Sequence, residues 1–305
     1  MTTGLVLLNP NAGGGRARRL QPLLRQWLAQ HSPNVELATP GNVALARHLL
    51  LQLPPVSRVV VVGGDGTLNQ LLPALLQGGH TLGLVPCGSG NDTARALGLY
   101  HTPWAAALAH GLQGAAQPMD VGQAIFQTDV GAHTVPFFSS FTVGFDSSVG
   151  LRALHGPRWL RGLPRYLLAT LREMAALRTW ELQVALDGTP LHNGVALFAS
   201  TLNTPSFGSG MPAVPHARID DARLDLLLAG RFDRWRTLLM LPRLLAGWHL
   251  SHPRVRTQSF SNLQLHSSTL VPLAADGEYL GQSRQLSIEV LPAALAVVRG
   301  PALRI

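Results

Sequence analysis

Short apolar runs alternate with helix-like patterns over the first 120 residues. The runs at residues 5–8, 58–62 and 81–85 have the length and composition of buried strands, and a glycine-rich stretch follows each of them. Helices are predicted by apolar spacing or position at residues 20–28, with Pro22 in the first turn, at 68–76 and at 93–99. This alternation is typical of a parallel sheet covered by helices.

Beyond residue 120 the pattern changes to longer β-rich runs separated by turn signals such as Asp187-Gly188. Strands are predicted at residues 137–143, 182–186, 195–202, 224–228, 263–273 and 285–290. Helical insertions are predicted at residues 159–177 and 235–248. The chain is therefore expected to contain an α/β domain at residues 1–120 and an antiparallel β domain at residues 121–293.

Composition excludes several classes of protein. Apolar residues make up 46% of the 305 residues and charged residues only 13%, so the chain is not intrinsically disordered. All 24 Lys-or-Arg positions are arginine, which excludes a Walker A loop and Schiff-base chemistry because both need lysine. The single cysteine, Cys87, excludes an internal disulfide and a cysteine-based metal site. The net charge of +8 suits anionic partners such as nucleotide phosphates or an anionic membrane.

Glycine-rich loops follow the three predicted strands, at residues 9–15, 63–67 and 88–92. Parallel strands end at one edge of their sheet, so these loops are expected to lie together. Glycines let backbone N–H groups approach phosphate oxygens, and each following helix adds the positive end of its dipole. The alternative is that each loop is only a tight turn. None is a G-x-G-x-x-G fingerprint, which disfavours a dinucleotide-dependent dehydrogenase.

Six short motifs run along the chain: Asn9-Pro10-Asn11-Ala12-Gly13, Gly63-Gly64-Asp65-Gly66-Thr67-Leu68-Asn69, Pro86-Cys87-Gly88-Ser89-Gly90-Asn91-Asp92, Val143-Gly144-Phe145-Asp146, Ile219-Asp220-Asp221 and Asp276-Gly277-Glu278. Together they resemble the bacterial diacylglycerol-kinase-like lipid kinases, which share their catalytic domain with eukaryotic diacylglycerol, ceramide and sphingosine kinases. The resemblance implies a nucleotide-binding α/β domain, an antiparallel β-sandwich domain for the lipid substrate, and an active site in the cleft between them. It also implies that the chain from Ala294 onward returns to the first domain.

The resemblance also implies roles for individual residues. It places ATP against Asn9, Pro10, Asn11, Ala12, Gly13, Thr39, Gly64, Asp65, Gly66, Thr67, Leu68, Asn69, Gln70 and Ser89. It makes Glu278 the general base that takes the proton of the lipid hydroxyl, and Asp276 a nucleotide or Mg²⁺ contact. Asp65 is also expected to be catalytic, because a magnesium–nucleotide complex needs a carboxylate. Arg16 is the candidate for a lysine that the family usually has near the first loop.

A second, structural Mg²⁺ site is implied near Asp221. In the family this carboxylate holds the ion together with main-chain oxygens at the positions of Arg218 and Arg223. The chain has Ala222 where the family usually has glycine, and this change is expected to perturb the loop because alanine prefers negative φ. The alternative is a solvated acidic turn.

Four further charged residues have two interpretations each. Asp92 and Arg95 lie one helical turn apart and either join the phosphate site or pair with each other. Asp120 and Asp146 resemble family positions near the active site, and surface turns are an equally good interpretation. The sequence leaves both pairs open.

Residues 152–178 carry six arginines and one acidic residue, Glu173, interleaved with apolar side chains. Basic residues beside an amphipathic apolar face are typical of a helix that lies on an anionic membrane. The alternative is an ordinary helix with a solvated basic face.

The resemblance and these residues together predict an ATP- and Mg²⁺-dependent lipid kinase that transfers the γ-phosphoryl group to diacylglycerol or a related lipid. It is expected in the cytoplasm, peripheral to the inner face of the membrane, with no nucleic-acid partner. Two alternatives stay open: a kinase with a soluble acceptor such as NAD, and a nucleotide- or lipid-binding sensor without turnover. The retained Glu278 and the basic segment favour the lipid kinase. The sequence encodes neither the acceptor lipid nor the oligomeric state.

Overall fold

The computed structural model of the chain describes residues 4–157, 159–160 and 162–300. The chain divides into two compact units. The first unit comprises Met1–Met119 and Ala293–Ile305, and the second comprises Asp120–Pro292. Both boundaries fall inside strands.

The first unit is a parallel sheet with helices. Its strands include β1 (Gly4–Leu8), β2 (Glu36–Ala38), β3 (Arg58–Gly63) and β4 (Thr81–Pro86). Its helices are α1 (Ala12–His31), α2 (Val43–Gln52), α3 (Asp65–Gln77), α4 (Asp92–Ala96) and α5 (Trp104–Gln113). The strands run parallel in the order β4, β3, β1, β2, and the end of the chain's last strand pairs parallel with β4 through Ala296 and Val297.

The central strands of this sheet are buried on both faces. The four valines of β3, Val59 to Val62, have no exposed surface, as a strand covered by helices on both sides requires. Burying one such side chain contributes roughly 1.5–3 kcal/mol. The predicted strands at residues 5–8, 58–62 and 81–85 are confirmed, each to within one residue.

The first helix differs from its prediction. Residues Gly13, Gly14 and Gly15 have φ of 59°, 66° and 89°, so regular helix begins only after them. Pro22 lies well inside this helix, and the prediction that it sits in the first turn is wrong. A proline there leaves the carbonyl of Arg18 without its donor, but both residues are on the exposed side of the helix, where water can satisfy the carbonyl.

The third predicted helix is shorter than expected, because α4 ends at Ala96 and Gly98 follows with a φ of 71°, a conformation that closes helices. Strand β2 and helices α2 and α5 had not been predicted.

The second unit combines antiparallel strands with helical insertions. Its strands are β5 (Ala116–Thr128), β6 (Gly131–Phe137), β7 (Ser140–Val143), β8 (Trp180–Leu186), β9 (Thr189–Leu202), β10 (Leu224–Gly230), β11 (Val255–Phe260), β12 (Asn262–Ala275) and β13 (Glu278–Val298). Its helices are α6 (Phe145–Leu154), α7 (Leu163–Met174), α8 (Arg234–Leu245) and the 3-10 helix His249–Ser251. The strands pair antiparallel in the order β11, β10, β9, β7, β12, β13, with β8 pairing β9 and β12.

The antiparallel prediction is confirmed, but several strand boundaries differ, since β9 and β13 are longer than the predicted strands at residues 195–202 and 285–290. The run at residues 137–143 is not one strand, because β6 ends at Phe137 and β7 begins at Ser140. The Asp276 carboxylate accepts the backbone N–H groups of Phe138 and Ser139, which takes them out of strand pairing. Strands β5, β6 and β11 and helix α6 had not been predicted.

Two hairpin turns of the second unit have the same design. Asp187 and Gly188 join β8 to β9 with φ of 50° and 79°, and Asp276 and Gly277 join β12 to β13 with φ of 47° and 87°. Positive φ at both central residues is typical of the two-residue turn that favours Asp-Gly. The predicted turn at Asp187-Gly188 is thereby confirmed.

Candidate active site

The three glycine-rich loops meet at the carboxyl edge of the first unit's sheet, as predicted. The Asn9 side chain donates from Nδ2 to Thr67 Oγ1 at 2.8 Å, which joins the first loop to the second. Arg16 donates from Nη2 to the carbonyl of Gly88 at 2.8 Å, which joins the first loop to the third. These bonds cross long stretches of chain, so the loops form one connected structure.

Close backbone approach explains why glycine occupies two of these positions. A Cβ placed on Gly64 would lie 2.5 Å from the Cα of Gly88, and one placed on Gly13 would overlap the carbonyl oxygen of Cys87. Any side chain at these positions would push the loops apart. The surface at this edge is therefore built largely from backbone, as a phosphate-binding surface requires.

The carboxylate of Asp65 holds the start of α4. It accepts the backbone N–H of Asp92 at 3.0 Å and that of Thr93 at 3.1 Å, one at each oxygen. Helix starts leave such N–H groups without internal partners, and a carboxylate favours the positive end of the helix dipole. Asp65 therefore fixes the second loop against the third, and its role in ATP contact and catalysis stays a prediction.

The third loop is shaped by Asn91. Its side chain accepts the N–H of Gly88 at 2.8 Å and donates to the Gly88 carbonyl at 3.1 Å, while its own φ is 57°. Ser89 lies at the exposed tip of this loop. The loop thus presents the Ser89 hydroxyl to solvent on a backbone that Asn91 holds in shape.

The other residues predicted to contact ATP differ in how exposed they are and in which element they lie. Thr39 is exposed directly after β2, next to the strand that leads into the first loop. Leu68 has no exposed surface and its N–H bonds the Gly64 carbonyl, so its side chain packs in the core. The Gln70 carbonyl accepts a bond from Arg47. The remaining predicted contacts lie in the first two loops or the first turns of α3: Asn9, Pro10, Asn11, Ala12, Gly13, Gly64, Asp65, Gly66, Thr67 and Asn69.

Cys87 is a buried thiol rather than a nucleophile. Burial raises its pKa, and the nearby Arg16 charge only partly opposes this. A thiol whose pKa is raised holds its proton, so it is a poor nucleophile. Arg95, in the same region, stacks its guanidinium over the ring of Tyr100 at 3.4 Å.

In the second unit, the two carboxylates of the Asp276-Gly277-Glu278 motif have different surroundings. Asp276 accepts the backbone N–H groups of Phe138, Ser139 and Ser140 at 2.7–3.0 Å. Within the part of the chain that the structure describes, the Glu278 carboxylate accepts no hydrogen bond. Asp276 thus fixes the backbone around the turn, whereas the Glu278 carboxylate has no hydrogen-bond partner among the described residues.

The loop around Asp221 keeps a glycine-like conformation. Ala222 has a φ of 60°, and its N–H donates to Asp120 Oδ2 at 2.7 Å. The expected change in the shape of the loop therefore does not occur, and Ala222 instead has a strained backbone conformation. Asp120 is only 2% exposed, so the surface-turn interpretation of Asp120 is wrong.

The loop around Asp221 offers few oxygen groups that could bind a metal ion. The Asp221 side chain is exposed and accepts the N–H of Arg223 at 3.1 Å, and the Arg218 guanidinium lies 3.4 Å from Asp220. No cluster of three or more His, Cys, Asp or Glu side chains occurs in the described residues. One carboxylate and backbone carbonyls are hard oxygen donors that suit Mg²⁺, so the residues present fit the implied ion.

Asp146 lies in the first turn of α6, and its surface-turn interpretation is wrong too. It accepts the Ser200 hydroxyl at 2.9 Å. Burial raises the pKa of Asp146 to about 7, and the hydroxyl of Ser200 only partly offsets this. Asp146 therefore changes charge near neutral pH.

The basic segment at residues 152–178 is partly committed to internal contacts. Arg152 forms an ion pair with Glu173 at 2.5 Å. Arg165 donates to the carbonyls of Leu154 and Gly156, at 3.1 Å each. Arg172 and Arg178 are exposed, and Arg158 and Arg161 lie outside the described residues.

Two residues near the motifs had no predicted role. Asn203 is fully buried and donates to the carbonyls of Asp120 and Phe138, at 2.8 Å each. Tyr166 of α7 lies beside the Asp276-Gly277 turn, since a Cβ on Gly277 would be 3.3 Å from its hydroxyl. The only sequence signal for Asn203 was a polar residue directly after the buried strand β9, and Tyr166 looked like part of an apolar stripe.

Comparisons with known proteins agree with this architecture. The diacylglycerol kinase catalytic domain matches residues 3–124, and the YegS C-terminal NAD kinase beta sandwich-like domain matches residues 139–299. A diacylglycerol kinase of Mycobacterium tuberculosis is 31% identical over 295 residues, covering 96% of this chain and 94% of its own. The chain belongs to the diacylglycerol-kinase-like lipid kinase family. Membership makes it a nucleotide-using kinase.

Other members are more distant. A diacylglycerol kinase of Bacillus subtilis is 26% identical over 225 residues, covering 73% of this chain and 71% of its own. A probable YegS-like lipid kinase of Shewanella frigidimarina is 27% identical over 254 residues, covering 81% and 77%. In the described part of this kinase no helix is long and apolar enough to cross a bilayer.

Solved structures confirm the predicted fold class, an α/β domain followed by a β-sandwich domain. A putative diacylglycerol kinase from Bacillus anthracis superposes with a TM-score of 0.80 at 19% identity, covering 99% of this chain and 98% of its own. Yeast NADH kinase superposes with a TM-score of 0.54 at 11% identity, covering 98% and 84%. At these identities the likeness concerns the fold alone.

Proposed function

We propose that this kinase transfers the γ-phosphoryl group of ATP, with Mg²⁺, to the hydroxyl of diacylglycerol or a related lipid. The single observation that carries the proposal is the cross-linked set of glycine loops, in which Asn9, Arg16 and Asp65 join three loops into one backbone surface. Such a surface suits a polyphosphate, and curated relatives are named diacylglycerol kinase.

The ATP phosphates would lie against the first loop, the start of α3 and the tip of the third loop. Glycine N–H groups there supply hydrogen bonds, and Arg16 supplies positive charge where the family usually has lysine. Thr39 would be a further contact beside the first loop. Mg²⁺ would neutralise charge on the transferring phosphoryl group, and positioning then contributes most of the catalysis. Asp65 would act mainly by holding the two loops in register.

Glu278 would act as the general base. The lipid hydroxyl oxygen forms a bond to the γ-phosphorus while the bond from that phosphorus to the ADP oxygen breaks, and the hydroxyl proton passes to the Glu278 carboxylate. This assignment is supported by the contrast within the motif, since Asp276 is engaged by three backbone N–H groups and Glu278 by none in the described residues.

A structural Mg²⁺ would be held by the Asp221 carboxylate and the main-chain oxygens of Arg218 and Arg223. The ion would supply positive charge that organises the loop before β10. Asp120 supports the same loop through the Ala222 N–H, so this segment is positioned by two carboxylates.

A soluble acceptor is the second candidate, because yeast NADH kinase has the same fold. The basic and apolar surfaces of the second unit favour a lipid acceptor over a soluble one. They also favour a peripheral position of the protein at the inner face of the membrane.

The test is transfer of γ-labelled phosphate from ATP and Mg²⁺ to mixed micelles of diacylglycerol, phosphatidylglycerol, ceramide or sphingosine, with NAD as the soluble acceptor. Glu278→Gln should abolish labelling and keep ATP binding. Glu181→Gln, at an exposed position of β8, is the matched control. Labelling of NAD alone would overturn the lipid proposal, and normal turnover by Glu278→Gln would overturn the assignment of the base.

A further inference from the structure

Helix α8 carries an apolar stripe on its outer face. Trp235 is 77% exposed and Leu239 is 68% exposed, and Leu238, Pro242 and Leu245 are exposed too. These positions follow the spacing i, i+3, i+4, i+7 and i+10, which on an ordinary surface helix marks the side that faces the core. The stripe is therefore an apolar surface that the described chain leaves open to solvent.

The other side of α8 is the one that packs against the protein. Thr237 is buried, and Met240 packs against the main core of the second unit. The helix is thus anchored along one side and apolar along the opposite side. Scattered exposed apolar residues are normal, but a continuous stripe marks an interaction surface.

Positive charge borders the stripe. Arg234, Arg236 and Arg243 are exposed on the same helix. Asp233 caps the helix by accepting the N–H of Arg236, and its carboxylate also pairs with the Arg236 guanidinium at 3.5 Å, which leaves Arg234 and Arg243 as the basic groups of the patch. Desolvation, and then the charges of Arg243, Arg254 and Arg236, lower the pKa of His252 just beyond the helix. A positive field therefore covers this part of the surface.

The charge pattern decides between two occupants. A second copy of the chain would bring the same arginines against one another, because a two-fold interface pairs each patch with itself. An anionic lipid surface satisfies the arginines, and tryptophan and leucine are the residues that enter the boundary between headgroups and acyl chains. Trp248, which is 72% exposed just after α8, adds a further side chain of this kind.

The position of α8 connects this surface with the Asp276-Gly277-Glu278 turn. Helix α8 packs against α7, and Tyr166 of α7 lies beside Gly277. A membrane held at α8 would therefore lie close to the helix that borders the proposed base.

We propose that α8 is the membrane-docking helix of this kinase, with Trp235 and Leu239 inserted at the interface of an anionic bilayer and Arg234 and Arg243 at its headgroups. The proposal rests on the proposed lipid-kinase function for its biological purpose. It moves the docking site away from residues 152–178, where Arg152 and Arg165 are already engaged within the protein.

The test is co-sedimentation of the full chain with vesicles, without ATP. Vesicles of phosphatidylglycerol and phosphatidylcholine should bind the wild type, and Trp235→Ser with Leu239→Ser should weaken binding at least tenfold. The matched control is Leu45→Ser with Leu51→Ser on α2, two leucines that are also exposed, and it should bind normally. Arg234→Gln with Arg243→Gln should lose affinity about tenfold or more, because each surface arginine contributes about fivefold.

The possible results separate the alternatives. Normal binding by the Trp235/Leu239 variant, with an unchanged melting temperature, would overturn the proposal. Equal binding of the wild type to pure phosphatidylcholine would overturn the role of the arginines. A change from dimer to monomer without loss of vesicle binding would identify a self-association surface instead. Because binding is measured without turnover, failure to label any lipid would contradict the proposed function and leave this result standing.

Discussion

The carboxylate of Asp65 accepts the backbone N–H of Asp92 at 3.0 Å, across 27 residues of chain. The second glycine loop is thereby fixed to the first turn of α4, which follows the third loop. Asp65, which its motif predicts to be catalytic, is thus also a structural link between two loops. Substitutions of Asp65 should therefore change both the stability of the protein and its binding of ATP.

We expect Asp65→Ala to destabilise the protein by about 1–3 kcal/mol, because two partly buried N–H groups lose their acceptor. Asp65→Asn should cost less, since its amide oxygen still accepts one bond. Both variants should bind ATP more weakly as the loops separate. Urea unfolding and ATP titration measure the two effects, with the exposed Asp129→Ala as control. Unchanged stability of Asp65→Ala would contradict the structural role.

Ala222→Gly should stabilise the protein by about 1 kcal/mol, because the left-handed conformation at φ 60° costs an alanine roughly 1–2 kcal/mol and a glycine little. Urea unfolding at neutral pH measures the change. An alanine-to-glycine change in ordinary helix should have the opposite sign, so Ala44→Gly on α2 is the control and should cost about 1 kcal/mol. A loss of stability at Ala222→Gly would show that the loop is not strained.

The raised pKa of Asp146 predicts a pH dependence of stability. Between its unfolded value near 3.8 and its folded value of about 7, the folded state holds more protons than the unfolded state, so stability falls as the pH rises. The full cost of ionisation is present above pH 7. Asp146→Asn should therefore stabilise the protein by on the order of 4 kcal/mol at pH 8.5 and little at pH 4, since one pKa unit is about 1.4 kcal/mol and the shift is about three units.

Urea unfolding of both proteins from pH 4 to 8.5 measures this difference. Ser200→Ala removes the hydroxyl that favours the charged form of the Asp146 carboxylate. This substitution should therefore raise the pH range over which stability falls. A stability difference that does not vary with pH would show that Asp146 does not titrate in this range.

The elements that could be predicted from the sequence are those with a clear local pattern of residues. Strand β3 is a continuous run of valine, so its period and length are readable, and the glycine loops follow from strand ends. Helix α5 was missed although Pro103 and Gly114 flank it, because five of its ten residues are alanine or glycine, which do not distinguish a buried face from an exposed one. The bond between Asp120 and Ala222 spans 102 residues, and no local pattern encodes such a contact.

The same limit applies to the charged surfaces. Residues 152–178 and the region of α8 both look basic and amphipathic as sequence. Only the structure distinguishes Arg165, which donates to two carbonyls, from Arg243, which is exposed beside an open apolar stripe. Charge count along a sequence therefore identifies candidate docking segments, and burial selects between them.

Arg16→Met tests whether arginine replaces the lysine of the family at the phosphate site. The substitution removes the charge and the bond to the Gly88 carbonyl, so affinity for ATP should fall about tenfold or more, which corresponds to the 1.5–3 kcal/mol of a hydrogen bond to a charged group. Stability should fall by no more than about 1 kcal/mol, because the lost bond to the Gly88 carbonyl is exposed to water. Titration of Mg-ATP measures the affinity, and Arg19→Met, an exposed arginine on the same helix, is the control. Equal ATP affinity of the Arg16 variant and the wild type would remove Arg16 from the phosphate site and leave the backbone N–H groups of the loops as the main binding groups.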